Sequence, residues 1–158
     1  MPIRFNTVIA DTSCFILLDK IGELRLLQKV FGEVITTEVV AAEFGKVLPD
    51  WIKVESALDR KYQALLELEI DQGEASAIAL SLEKKNTLLI LDDLQARKLA
   101  KKLNLPYTGT LGMIARAKRE GKIPSVLPVI EKIRKTNFRF SEEVYSEIVK
   151  AAGEGMIE

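Results

Sequence analysis

The chain has 158 residues, 47% of them apolar and 29% charged, with 23 basic side chains balancing 23 acidic ones. That composition is of a folded globular protein, which excludes disordered, collagenous and coiled-coil chains, and the length predicts one domain over residues 1–158. Histidine is absent and cysteine occurs once, at Cys14, so Ser-His-Asp and Cys-His mechanisms, His-ligated zinc, intramolecular disulfides and Cys-rich metal centres are excluded.

Residues 8–10 read as a short buried strand ended by Asp11, and Asp11-Thr12-Ser13 supply capping side chains for a helix through the apolar run 15–18. Residues 23–31 have helical apolar spacing with Gly32 as the stop, and 33–36 follow as a second strand. Thr37 caps a helix ending at Gly45, Pro49-Asp50 makes a turn, and 52–54 form a third strand. Residues 58–70 read as an amphipathic helix, and Asp71-Gln72-Gly73-Glu74 as the capping box of a helix running to Lys85, with Asn86 as its stop. Residues 87–91 are an apolar, β-rich run cut off by Asp92-Asp93 and are expected at the centre of the sheet. A basic helix over 94–103, a last short strand over 105–108 and a helix over 110–120 stopped by Gly121 come next. Two further helices, near 125–136 and 141–153, complete the chain. Strands joined by helical crossovers imply a parallel sheet covered on both faces, a three-layer α/β/α fold. No apolar run approaches the roughly 18 residues that span a bilayer, so no membrane partner and a cytoplasmic location are expected.

Charge is unevenly placed. Residues 1–96 carry 10 basic and 16 acidic side chains, residues 97–139 carry 12 and 2, and residues 140–158 carry 1 and 5. Such asymmetry suits a polyanionic partner, although solvated helix faces produce it as well.

Ligands of open parallel sheets sit beyond the carboxyl ends of the strands. Asp11 and Asp92-Asp93 end two strands, Glu43 lies on the helix after the second strand, and Glu74 opens the helix leading to the strand over 87–91, so four or five carboxylates can face one cavity. Two unit charges about 4 Å apart cost roughly 4 kcal/mol at an intermediate dielectric. A divalent cation relieves that repulsion, and an oxygen-only donor set selects a hard one, Mg²⁺ or Mn²⁺. Each acid also has a plainer reading. Asp11 and either Asp92 or Asp93 are natural helix caps, and Glu74 is a capping-box member. Glu43 sits near a helix C-terminus, where the macrodipole disfavours an anion, so structure explains it least.

Residues 8–13 (Val-Ile-Ala-Asp-Thr-Ser), 39–43 (Val-Val-Ala-Ala-Glu), 73–80 (Gly-Glu-Ala-Ser-Ala-Ile-Ala-Leu) and 88–93 (Leu-Leu-Ile-Leu-Asp-Asp) resemble the successive acidic motifs of PIN domains. Residues 96–103 and 107–112 further resemble an uncharacterised prokaryotic subgroup of PIN-like proteins. The resemblance covers roughly Ile9 to Tyr145. It implies a PIN-like, Rossmann-like sheet and a Mg²⁺- or Mn²⁺-dependent ribonuclease, many of its relatives being toxins of toxin–antitoxin pairs. It implies Asp11, Glu43, Glu74 and Asp93 as catalytic acids, with Asp11, Asp93, Asp92 and Glu74 as metal ligands. Two departures stand out: Glu74 replaces the more common Asp, and the strand over 87–91 lacks a Thr-x-Asp ending. The match favours Asp93, with Asp92 in support. RNA is the implied partner, its backbone meeting Arg97, Lys98, Lys101 and Lys102. An antitoxin protein is a second implied partner, and a homodimer is one assembly open to the chain.

Two other classes compete. A non-catalytic PIN-like module would bind RNA or protein through the same basic surface, and retention of the acids argues against it. A metal-dependent phosphatase of the haloacid-dehalogenase type wants Asp-x-Asp after the first strand, where this chain has Asp11-Thr12-Ser13. The Gly109-Thr110-Leu111-Gly112 turn lacks the lysine of a phosphate-cradling loop.

Overall fold

The computed structural model describes Phe5 and residues 7–154. Alternation along very short strands sets the architecture, because successive side chains leave a strand on opposite faces. In β1 (Thr7–Ala10), Val8 and Ala10 enter one core and Ile9 the other, all three fully buried. β1 pairs in parallel with β2 (Glu33–Thr37) on one side and β4 (Thr87–Ile90) on the other, setting Ile9 beside Ile35 and Leu89. With β3 (Ile52–Glu55) outside β2 and β5 (Tyr107–Thr108) outside β4, the order is β3-β2-β1-β4-β5, parallel throughout.

An all-parallel sheet needs cover on both faces. Val8, Ala10, Val34, Leu88 and Ile90 pack against α1 (Thr12–Lys20), α2 (Arg25–Val30), α7 (Thr110–Arg119), α8 (Leu127–Arg134) and α9 (Glu142–Ala151). Ile9, Ile35, Leu89 and Leu91 pack against α4 (Arg60–Leu66), α5 (Gln72–Leu82) and α6 (Leu94–Lys102). The three-layer α/β/α arrangement expected from the sequence is therefore present. α3 (Glu38–Phe44) begins at Thr37, whose hydroxyl accepts from the Val40 N–H, and ends at left-handed Gly45, φ 74°. Its Phe44 ring meets Phe15 with centroids 5.9 Å apart.

Four sequence expectations shift in detail. β4 is interior, as the apolar run 87–91 requires, but the middle strand is β1. The helix expected over 23–31 is the shorter α2, because Phe31 turns extended (φ −115°, ψ 145°) and carries its ring into the core, 4.9 Å from the Arg116 guanidinium. The helix expected over 58–70 is α4 alone. The N–H groups of Leu58 and Asp59 donate to the Glu83 carboxylate, both at 2.9 Å, and Asp59 then caps the helix, while Leu58 and Leu68 are 90% and 81% exposed and add nothing to a buried stripe. The last strand shrinks to two residues because Pro106, lacking an N–H, joins the ladder only through its carbonyl, which accepts from Leu89 at 3.0 Å.

Candidate active site

The acids sit where strands hand over to helices. Asp11 follows β1 and caps α1, its Oδ1 accepting the Cys14 N–H at 3.1 Å while Ser13 Oγ donates to the carboxylate at 3.2 Å. The two aspartates after β4 diverge. Asp93 caps α6 by accepting the Ala96 N–H at 3.0 Å. Asp92 turns toward α7, where Thr110 donates its backbone N–H to Oδ1 at 2.8 Å and its hydroxyl to Oδ2 at 2.6 Å. Glu43, on the last turn of α3, accepts the Thr12 hydroxyl at 2.6 Å and so ties α3 to α1. Asp71 caps α5 through the Glu74 N–H at 3.0 Å. The backbone beneath is part of the ladder: Asp11 N–H donates to Ile90 O at 3.3 Å and Leu91 N–H to Thr108 O at 2.9 Å.

Asp11, Glu43, Asp71, Glu74, Asp92 and Asp93 line one open cavity of about 540 Å³. All five acids singled out in the sequence are thus brought together. Asp71 joins them, although the sequence pattern marked it only as the start of a capping box. Thr110 was also missed as a site residue, and the signal was the Gly109-Thr110 pair directly after the last strand. The capping box itself is half made. Asp71 receives the Glu74 N–H, but among the described residues no bond returns from the Asp71 N–H to the Glu74 side chain, which faces the cavity instead.

The electrostatics follow from crowding. Burial, then the negative charge of Asp92, pushes the Asp11 carboxyl up to about 7 in spite of the bonds from Cys14 and Ser13. Burial, then the charges of Asp71, Asp93 and Asp11, pushes Glu74 up to about 8. The neighbouring charge felt by Asp11 is that of Asp92, and the charges felt by Glu74 are first Asp71 and then Asp93. Cys14 lies beneath the site, fully buried, and burial together with Asp92 and Asp11 raises its thiol well above the ordinary value, so it stays protonated and is no nucleophile.

Among the described residues no three of these carboxylates converge into a ready-made cage for an ion. A hard cation that keeps much of its hydration and takes one or two carboxylates fits such an arrangement better than one needing full protein coordination. The donor chemistry, oxygen only and carrying excess negative charge, fits Mg²⁺ or Mn²⁺.

Gly73 matters through the space it leaves. A Cβ there would fall on the Glu43 carboxylate and lie 3.1 Å from Thr12 Oγ1. In an unobstructed helix, Gly→Ala stabilises by roughly 0.5–1 kcal/mol. Here Gly73→Ala is expected to push Glu43 out of place and lower any cavity-dependent activity about tenfold to a hundredfold. The check is turnover beside a thermal melt, and an active, unchanged variant would show that Glu43 need not stand there.

The four basic residues singled out on α6 are placed differently from one another. Arg97 is half-buried, its Nε donating to Leu91 O at 2.7 Å and its guanidinium lying 5.8 Å from the Tyr107 ring. Lys98, Lys101 and Lys102 are exposed, and Lys98 and Lys102 border a small cavity of about 150 Å³ with Glu69. None of the four lines the acidic cavity. No helix among the described residues is long and apolar enough to cross a membrane.

No match is found among curated proteins. A family model described as a PIN domain matches residues 7–154, spanning every strand and helix above. With its parallel five-stranded sheet, two helical layers and acids gathered at the strand ends, the chain belongs to the PIN domain family.

Proposed function

We propose that this PIN domain is a metal-dependent endoribonuclease that hydrolyses RNA phosphodiester bonds. PIN domains are generally nucleases, and the observation that carries the reading here is the electrostatic state of the cavity. Two carboxyls pushed up to about 7 and about 8 by burial and by the neighbouring aspartates, in a cavity lined by six acids, make a site that a divalent cation would stabilise. When bound, Mg²⁺ or Mn²⁺ supplies positive charge to the scissile phosphate and to the oxygen leaving it.

The chain's own residues then have distinct tasks. Asp11 and Asp92 are the inner pair that would hold the ion, Asp92, rather than the Asp93 favoured by the family resemblance, being fixed in orientation by its two bonds from Thr110. Asp93 and Glu74 form the outer pair, with Glu43 positioned by Thr12. Among the described residues the Glu74 side chain makes no capping bond and faces the cavity, so with a bound cation keeping it ionised the carboxylate would be free to take the proton of a water attacking phosphorus as one P–O ester bond breaks. Lys98, Lys101 and Lys102 offer backbone contacts that carry no sequence information.

A toxin role, an antitoxin partner and a homodimer extend the same reading. Growth arrest on expression, relieved by a small protein from the adjacent gene, would support the first two, and light scattering the third. The primary test is incubation of the purified protein with single-stranded and structured RNAs in Mg²⁺, Mn²⁺ or EDTA. Cleavage is expected with either ion and in neither EDTA nor the Glu74→Gln variant. Undiminished turnover in EDTA overturns the reading.

A further inference from the structure

A second, larger depression of about 590 Å³ shares one wall with the acidic cavity, the side chain of Asp92. Its character is different. β5 supplies Tyr107, α6 supplies Arg97, and the segment between α8 and α9 supplies Phe138, Arg139 and Phe140. Phe138 and Phe140 are half-buried with their rings 6.4 Å apart, and the guanidinium of Arg134 lies 5.3 Å from the Phe140 ring. Phe138 also lines a smaller apolar cavity of about 230 Å³ with Ser13 and Ile16, both of which line the acidic cavity. The aromatic segment therefore borders the acidic cavity on two sides, at Asp92 and at Ser13 and Ile16.

We infer that this groove is a base-binding subsite, in which the nucleotide next to the cleaved bond of a single-stranded RNA stacks on Phe138 and Tyr107. The inference rests on the nuclease reading only for placing the cleaved bond beside Asp92. Aromatic faces flanked by arginines are the chemistry that holds unpaired bases, and the stacking is indifferent to base identity because every base has a π face. In a duplex those faces are occupied by neighbouring base pairs, so the groove selects for unpaired strand. A protein segment could use the aromatic rings as well, but it gives no reason for the groove to open onto a cluster of carboxylates. A nucleic acid threading from base subsite to cleavage site needs that junction.

The test is fluorescence anisotropy of the full chain in EDTA, where binding is read without cleavage. The probe is a labelled single-stranded oligouridine of roughly eight nucleotides, alone or annealed to its complement. Phe138→Ala and Tyr107→Ala are each expected to weaken single-strand binding by about tenfold, within the range for loss of one stacked base. Phe138→Tyr and Tyr107→Phe should restore it, and the duplex should bind weakly and indifferently to all four changes. Wild-type affinity in Phe138→Ala, or failure of Phe138→Tyr to restore it, overturns the inference and leaves the groove to a protein segment. Phe138-dependent binding without any metal-dependent cleavage would retain the subsite and remove the nuclease. Metal-dependent cleavage by Phe138→Ala with an unchanged KM would do the reverse.

Discussion

In EDTA the protein is expected to melt at a higher temperature at pH 5 than at pH 9. Asp11 and Glu74 have folded-state values raised from 3.8 and 4.5 to about 7 and about 8. Between the ordinary and the raised values the folded state holds protons that the unfolded chain has released, so stability is greatest at the acidic side of that window and is lost as pH rises through 7 and 8. Between pH 5 and pH 9 Asp11 alone accounts for about 3 kcal/mol, because the unfolded carboxyl is already ionised at pH 5, and Glu74, partly open to solvent, adds less. For a domain of this size that is a fall of about 10 °C. Because the chain has no histidine, no ordinary side chain titrates between pH 5 and 8 to obscure the effect. Mn²⁺ at pH 9 should recover much of the loss by binding only the folded state. A melting temperature flat from pH 5 to 9 would mean that the carboxyls are not crowded.

Asp11→Asn is expected to lower cleavage by two to three orders of magnitude, roughly the loss when a group stabilising transition-state charge is removed. The same change should raise the melting temperature at pH 8 in EDTA. The amide keeps an oxygen for the Cys14 N–H and removes a buried charge that Asp92 repels. A pure helix cap behaves otherwise, since its loss costs about 1 kcal/mol at every pH and leaves activity alone. Asp59→Ala supplies that contrast at α4, away from the acidic cavity, where the carboxylate only caps the helix by accepting the Tyr62 N–H. Parallel melts and turnover of Asp11→Asn, Asp92→Asn and Asp93→Asn rank the three. Full activity in Asp92→Asn with loss in Asp93→Asn would reverse the inner and outer pairs.

What could be read from the residues was whatever local chemistry decides. Asp11, Thr37 and Asp93 cap the helices that follow them, Gly45 and Gly121 take left-handed turns, and residues 87–90 are buried throughout. The acids could be placed on one rim because strand ends in a parallel sheet converge. What escaped was decided between distant segments. Leu58 and Asp59 are held by Glu83, Phe31 leaves its helix for a core position against Arg116, and Asp92 is claimed by Thr110 across 18 positions of sequence. Asp71 escaped for the opposite reason. Its side chain does cap α5, and that local role gave no cause to seek a second one.

The acids ride on backbone already hydrogen-bonded into the sheet, from Asp11 to Ile90 and from Leu91 to Thr108. Amides in β1 and β4 are therefore expected to exchange with solvent only when the whole domain opens. Deuterium uptake at Ile9, Ala10 and Leu89 becomes a direct gauge of ion occupancy. Saturating Mn²⁺ should slow these amides by the full factor by which it stabilises the fold, while the exposed end of α9 exchanges at an unchanged rate.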